Sequence, residues 1–252
     1  MPKPEGSSKA EGRTLAAEDQ ISHFGIPSGF GHRISDFAAI LLWLFCAAIC
    51  AQAADLTLKV SDKPPPKELS EAIQKLLQPR AIQLLDGNKP VLEYWLVKEL
   101  STQSKPESVA KSLDPIRQAT VLGAVNVATP RRDYRGDDVP AGVYTMRFAL
   151  QPQDGNHSGT SEFGYFGVLV PTKLDQSPDA IAGYKALMRA SSKETSTDHP
   201  RIVSLRPANS AEGEIPNLSS PAPEHKSVRV KIPGKEGEAV VFEIVYEGKG
   251  HT

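Results

Sequence analysis

GVYTMRFAL, residues 142–150, is the stretch that indicates the fold most clearly. Apolar side chains recur at every second position, and the polar side chains of Thr145 and Arg147 stand between them. Successive side chains of a β-strand point to opposite faces, so this alternation is typical of a strand with one face in a core and the other in solvent. The positions predicted to face the core are Tyr144, Met146, Phe148 and Leu150.

Shorter segments on both sides of this stretch also have the composition of strands. They are residues 56–60, 81–85, 91–97, 120–127, 163–170, 201–205, 228–232 and 240–246. Turn-forming residues at 86–90 and 233–237 each separate two of these segments and are typical of hairpin connections. We therefore predict a mainly β fold, an immunoglobulin-like antiparallel β-sandwich.

Some connections of this sandwich have a different periodicity. Residues 68–77 carry apolar side chains at helical spacing. Ser177 followed by Pro178 is typical of a helix N-cap with proline at the first helical position, and predicts a helix to about Ala190. We thus expect one or two short helices in the connections. Residues 207–226 are rich in Pro, Ser and Glu and are predicted to form a mobile loop.

An uncharged apolar run, FAAILLWLFCAAICA at residues 37–51, precedes the predicted strands. It is shorter than the roughly 20 residues that span a bilayer and is typical of a signal-peptide core. Ala51 and Ala53 fit the small-x-small pattern of signal peptidase. We predict cleavage after Ala53 and an exported protein, periplasmic or extracellular, without stable membrane insertion after cleavage. The alternative is an uncleaved anchor that tethers the domain to the membrane.

These segments divide the chain into three parts. Residues 1–36 are expected to be a disordered extension, or a stretch that is not translated. Residues 37–53 form the signal region, and residues 54–252 form the β-sandwich domain. Cys46 and Cys50 both precede the cleavage site, so the exported part has no disulfide, thiolate metal site or cysteine nucleophile. The net charge of −1 gives no basic excess, and neither a nucleic-acid partner nor a cofactor is expected.

Three stretches resemble a family of exported bacterial proteins of unknown function. They are VPAGVYTMRF at residues 139–148, QPQDGNH at 151–157 and FGVLVP at 166–171. The resemblance extends from about Leu69 to the closing strand and so covers most of the exported part. It implies a secreted, sandwich-like domain and no known activity, so it supplies no catalytic residues.

The polar loop at residues 154–162 is the first candidate site. Alternate residues carry oxygen ligands at the spacing of a calcium-binding loop. These residues are Asp154, Asn156, Ser158 and Glu162. Tyr165 stands where the bidentate Glu of such a loop belongs, so we expect at most weak calcium binding, and a glycine-rich hairpin loop is the competing interpretation. His157 in the same loop is a candidate for other ligand contacts.

The second candidate site is the charged stretch RRDYRGDD at residues 131–138. The guanidinium groups of Arg131 and Arg132 suit a carboxylated or sulfated glycan. The alternative is a solvated loop whose charges pair with each other. Tyr94 and Trp95 are adjacent and so point to opposite faces of a strand. If exposed, Trp95 is a candidate for stacking on a sugar; otherwise it belongs to the core.

The sequence has no nucleophile elbow, zinc-binding H-E-x-x-H or phosphate-binding glycine loop. We therefore predict a non-catalytic envelope protein that binds an unknown envelope protein or glycan, through the loops at residues 130–138 and 153–162. The alternative is a glycan-directed hydrolase without a recognisable motif. That alternative requires four residues to cluster in one concave pocket, namely Asp133, Asp154, His157 and Glu162.

Overall fold

The described part of the chain is built around one large antiparallel sheet. A computed structural model describes residues 55–133, 135–152, 163–193, 195, 199–223, 225–235 and 237–248. Ten strands form one sheet that is nearly closed into a barrel, and two short strands form a separate hairpin. The prediction of a mainly β fold is confirmed. The immunoglobulin-like sandwich is not confirmed, because the hydrogen bonds join the ten strands into one continuous sheet. Alternating apolar residues are equally compatible with both arrangements.

Nine of the twelve described strands correspond to predicted segments, whereas the strands at Arg131–Arg132, Asp138–Val139 and Asn217–Ala222 were not predicted. In chain order the twelve strands are β1 (Thr57–Ser61), β2 (Ala81–Asp86), β3 (Lys89–Leu96), β4 (Val121–Val127), β5 (Arg131–Arg132), β6 (Asp138–Val139), β7 (Gly142–Leu150), β8 (Tyr165–Pro171), β9 (Arg201–Pro207), β10 (Asn217–Ala222), β11 (His225–Ile232) and β12 (Val240–Glu247). The order in the large sheet is β1-β2-β3-β4-β7-β8-β9-β12-β11-β10. The edge strands β1 and β10 contact each other. β10 lies within 207–226, so that segment is not a continuous loop.

Two α-helices lie in the described connections. Helix α1 (Glu71–Leu76) begins at Ser70, whose hydroxyl accepts a hydrogen bond from the backbone N–H of Ile73 at 3.2 Å. Helix α2 (Tyr184–Ser192) begins after Gly183 and not at Pro178 as predicted. Ser177 instead closes a local turn, in which its hydroxyl accepts from the Asp179 N–H at 3.1 Å. The serine side chain thus caps a turn. A serine hydroxyl can accept a hydrogen bond from a nearby backbone N–H in a turn as well as at the start of a helix.

The two faces of β7 are both buried. Met146 and Phe148 point into the interior core, as the alternation predicts. The opposite face of the neighbouring strand β8 packs against α2, and Leu187, Val168 and Val170 belong to a second core there. The face of β7 that was expected to meet solvent is therefore covered. Leu150, expected in the core, is 46% exposed at the end of its strand.

Arg147 lies on this covered face in a buried ion pair. Its Nε and Nη2 donate to the two carboxylate oxygens of Asp175, each at 2.7 Å. The same guanidinium donates to the backbone carbonyls of Ala119 and Ser177, each at 2.6 Å. Thr145 donates a further hydrogen bond to Asp175. This network fixes the connection between β8 and α2 on the outer face of β7.

Residues 1–54, which contain the predicted signal region and Ala53, lie outside the described residues. Within the part of the chain that the structure describes, no helix has the length and apolar character needed to cross a membrane.

Candidate functional site

A cavity of about 490 Å³ lies at one end of the curled sheet, where β4 and β12 end. Small-molecule sites occupy roughly 300–1,000 Å³, so the volume suits a small ligand. Much of the wall is apolar, because the strands direct every second side chain into the interior. The apolar side chains at this end include Leu92, Val125, Val127, Val139 and Leu169.

The hairpin formed by β5 and β6 brings charged side chains to this cavity. Its turn is organised by Asp133, whose carboxylate accepts from the backbone N–H groups of Arg135 at 2.9 Å and Asp137 at 3.0 Å. Gly136 has φ +89°, a conformation that glycine adopts without steric cost. Burial raises the pKa of the Asp133 carboxyl above its usual range, although the Arg135 charge opposes this shift. The carboxyl is thus a structural centre of the hairpin.

Two of the three arginines on the hairpin have carboxylate partners. Arg135 pairs through Nη2 with Asp137 at 3.0 Å and with Asp133 at 3.4 Å. Arg132 lies 3.8 Å from Asp138, and both of these side chains are largely exposed. An exposed pair of this kind is weak, so Arg132 is held loosely at the mouth of the cavity.

Arg131 has a different environment. Its guanidinium donates from Nη2 to the backbone carbonyl of Tyr246. Among the described residues no carboxylate lies within ion-pair distance of Arg131. Arg131 therefore brings a positive charge to a largely apolar cavity without a direct ion-pair partner among the described residues, although Asp133 and Glu247 also line this cavity.

Tyr94 lies beside this charge in the wall of the cavity. The residue is 1% exposed, and burial raises the pKa of its hydroxyl to about 12 despite the opposing Arg131 charge. The group thus stays protonated at any physiological pH. Burial also raises the pKa of Tyr246 on β12. No described residue forms a hydrogen bond with the Tyr94 hydroxyl, and Tyr94 and Arg131 both line the cavity.

Trp95, the predicted sugar-stacking residue, points away from the cavity and is fully buried. Its indole N–H donates to the backbone carbonyl of Lys63 at 2.9 Å, and the Lys63 ammonium lies 5.6 Å from the ring centroid. The exposure that stacking on a sugar requires is therefore not met, because the segment around Lys63 covers this face of β3.

The same covering segment is fixed by Glu93. Its carboxylate accepts from Lys63 at 2.7 Å, Gln83 at 2.6 Å and Asn126 at 2.9 Å. Burial acts to raise the pKa of the Glu93 carboxyl, but the hydrogen bonds outweigh this effect and the pKa is lowered. The cluster stabilises the fold and lies on the face of β3 opposite the cavity.

The structure brings together part of the predicted site. Arg131 and Arg132 both line the cavity. The residues of the polar loop, Asp154, Asn156, His157, Ser158 and Glu162, lie outside the described residues. Among the described residues, no cluster of three His, Cys, Asp or Glu side chains is arranged to hold a metal ion.

Sequence reasoning missed Tyr94 and Tyr246 as components of a site. The alternation in β3 places Tyr94 and Trp95 on opposite faces of the sheet. Once Trp95 is assigned to the covered face, this alternation predicts that Tyr94 faces the cavity. The meeting of β12 with the charged hairpin has no local signal, because these segments are far apart in sequence.

The chain was also compared with known proteins. No family model, curated protein or solved structure matches it. The resemblance to an exported bacterial family therefore stays a prediction.

Proposed function

We propose that the chain is an exported, non-catalytic binding protein of the bacterial envelope, and that its ligand site is the cavity beside the β5–β6 hairpin. Export rests on the signal-peptide pattern of residues 37–53. The main support for a binding role is a cavity of about 490 Å³ with an apolar wall and a few convergent polar groups. This combination is typical of small-molecule sites.

The apolar wall also narrows the class of ligand. A glycan presents hydroxyl groups on most of its surface, and these would lose their hydrogen bonds with water against Leu92, Val125 and Val127. A small molecule with an apolar body fits this wall better. We therefore prefer such a ligand to the glycan or envelope protein that the sequence predicts as partner.

The hydrolase alternative needs four residues, of which Asp154, His157 and Glu162 lie outside the described residues. The fourth is Asp133. The Asp133 carboxylate accepts two backbone hydrogen bonds and pairs with Arg135, so these contacts give it a structural role in the hairpin. A binding site explains the cavity without assigning chemistry to any residue.

Native mass spectrometry of the protein purified from the cells that make it tests this proposal. We expect the mass of residues 54–252 plus a non-covalent small-molecule adduct. Val127→Phe, which extends a larger side chain into the cavity, should lose the adduct. Val60→Phe is the matched control, because Val60 is 41% exposed on β1. Retention of an adduct by Val127→Phe would place the ligand elsewhere, and a wild-type chain that never binds a small molecule would contradict the proposal.

A further inference from the structure

We infer that the ligand of this cavity is an amphiphilic carboxylate, whose acidic group is bound by Arg131 and the Tyr94 hydroxyl and whose apolar body lies against the strand wall. The inference rests on the proposed function and adds the chemical class of the ligand.

The charge of Arg131 calls for an anion. The guanidinium lines the cavity and donates to the Tyr246 carbonyl, and no described carboxylate pairs with it. A cation beside an apolar wall interacts with an anion more strongly than it would in water, because the local dielectric constant is lower. Guanidinium also presents several N–H donors in one plane, a geometry that matches the two oxygens of a carboxylate.

Tyr94 supplies the second donor. The Tyr94 residue is almost completely buried, and its hydroxyl is protonated and has no hydrogen-bond partner among the described residues. A protonated hydroxyl in the wall of a cavity can donate a hydrogen bond to a bound ligand. The Tyr94 hydroxyl lies close enough to Arg131 for the cation to affect its pKa. One carboxylate oxygen bound to Arg131 and the other to Tyr94 would satisfy both groups.

The balance of charge favours a carboxylate over a phosphate monoester. Three arginines line the cavity, but Arg132 and Arg135 are paired with carboxylates, which leaves Arg131 as the one without a direct ion-pair partner among the described residues. Asp133 and Glu247 also line the cavity and would repel a second negative charge. A phosphate monoester carries about −1.5 to −2 near neutral pH, and a carboxylate carries a single charge. The lining Leu92, Val125 and Val127 favour an aliphatic or aromatic body.

Isothermal titration calorimetry with three ten-carbon probes tests the inference on the full chain. The probes are decanoate, neutral decanol and decyl phosphate. We expect decanoate to bind about 10- to 100-fold more tightly than decanol, because one charge-assisted hydrogen bond contributes about that factor to affinity. Decyl phosphate should bind more weakly than decanoate.

Variants assign the effect to the two donors. Arg131→Gln should remove most of the preference for decanoate over decanol, whereas Arg80→Gln, at an exposed arginine outside the cavity, should leave this preference unchanged. Tyr94→Phe keeps the ring, removes the hydroxyl and should weaken decanoate alone by about tenfold. Tyr94→Phe also answers the question if Arg131→Gln fails to fold.

The outcomes separate the two proposals. Equal binding of decanoate and decanol, or tighter binding of decyl phosphate, would overturn the carboxylate assignment and leave the binding cavity in place. A preference for decanoate that survives both Arg131→Gln and Tyr94→Phe would also overturn it. If no probe binds the wild-type chain, the proposed function fails as well.

Discussion

Removing Arg147 should destabilise the fold more than any exposed charge change. The guanidinium and the Asp175 carboxylate are almost completely buried, at 0% and 2% exposure. Arg147→Met would delete two hydrogen bonds to Asp175 and one each to the carbonyls of Ala119 and Ser177. The carboxylate would remain buried with Thr145 as its remaining side-chain partner. Breaking a buried ion pair in this way costs about 3–5 kcal/mol.

Urea denaturation followed by far-ultraviolet circular dichroism measures this loss. With a slope of about 2–3 kcal/mol per molar urea, the midpoint should fall by roughly 1–2.5 M. The control is Lys111→Met, which removes an exposed pair with Glu107 on the protein surface and should leave the midpoint unchanged.

A double variant separates the ion pair from simple packing. Arg147→Met with Asp175→Leu leaves no unpaired charge, so it should recover much of the stability that the single variant loses. If Arg147→Met behaved like the Lys111 control, the buried pair would not contribute to stability as expected. If the double variant lost as much stability as the two single variants together, the two groups would not be coupled.

Three further predictions concern the fold. Although burial opposes the shift, hydrogen bonds lower the pKa of the Glu93 carboxyl below 4.5. The charged carboxylate therefore stabilises the fold above about pH 4.5, and this contribution is lost as the pH falls through the lowered pKa. The urea midpoint of Glu93→Gln should therefore lie below wild type at pH 7 and converge with it as the pH falls below about 4.5; a constant gap would contradict this. Gly123→Ala would place a Cβ 2.4 Å from the Trp95 carbonyl oxygen and should cost about 1–3 kcal/mol in urea denaturation, whereas Gly164→Ala, with its nearest contact at 3.5 Å, should be tolerated. Tyr144→Phe removes a 2.9 Å hydrogen bond to the backbone and should lower stability by about 1 kcal/mol, and an unchanged midpoint would show that the bond does not contribute.

The strands were predictable because their signal is local. Residues 142–150 alternate between apolar and polar side chains, and β7 has those bounds. The arrangement of the strands was not predictable in the same way. Whether they form two packed sheets or one curled sheet depends on which strands pair, and β9 with β12 is a pairing between distant segments that the alternation does not encode.

Burial by tertiary contacts caused the other differences. Arg147 was expected in solvent because it is charged, yet Asp175 and α2 cover its face of the sheet. Ser177 and Pro178 are residue types typical of a helix start, but the helix begins later, after Gly183. Local composition indicates which secondary structure a segment favours by itself. Packing against the rest of the chain then determines which faces are buried and where a helix begins.

The candidate site was predictable in part. Charge composition led to Arg131 and Arg132, because charged side chains on a short loop are conspicuous in sequence. Tyr94 and Tyr246 were not identified, since each looks like an ordinary residue of an apolar strand. Their meeting with Arg131 depends on three segments that converge at one end of the sheet.

A crystal structure of the full chain with decanoate would show where the acid binds. We expect electron density for the aliphatic chain inside the cavity, with carboxylate oxygens about 2.6–3.0 Å from Arg131 and from the Tyr94 hydroxyl. Decanoate bound elsewhere on the chain, with Arg131 unaltered and the cavity unoccupied by the ligand, would contradict this expectation.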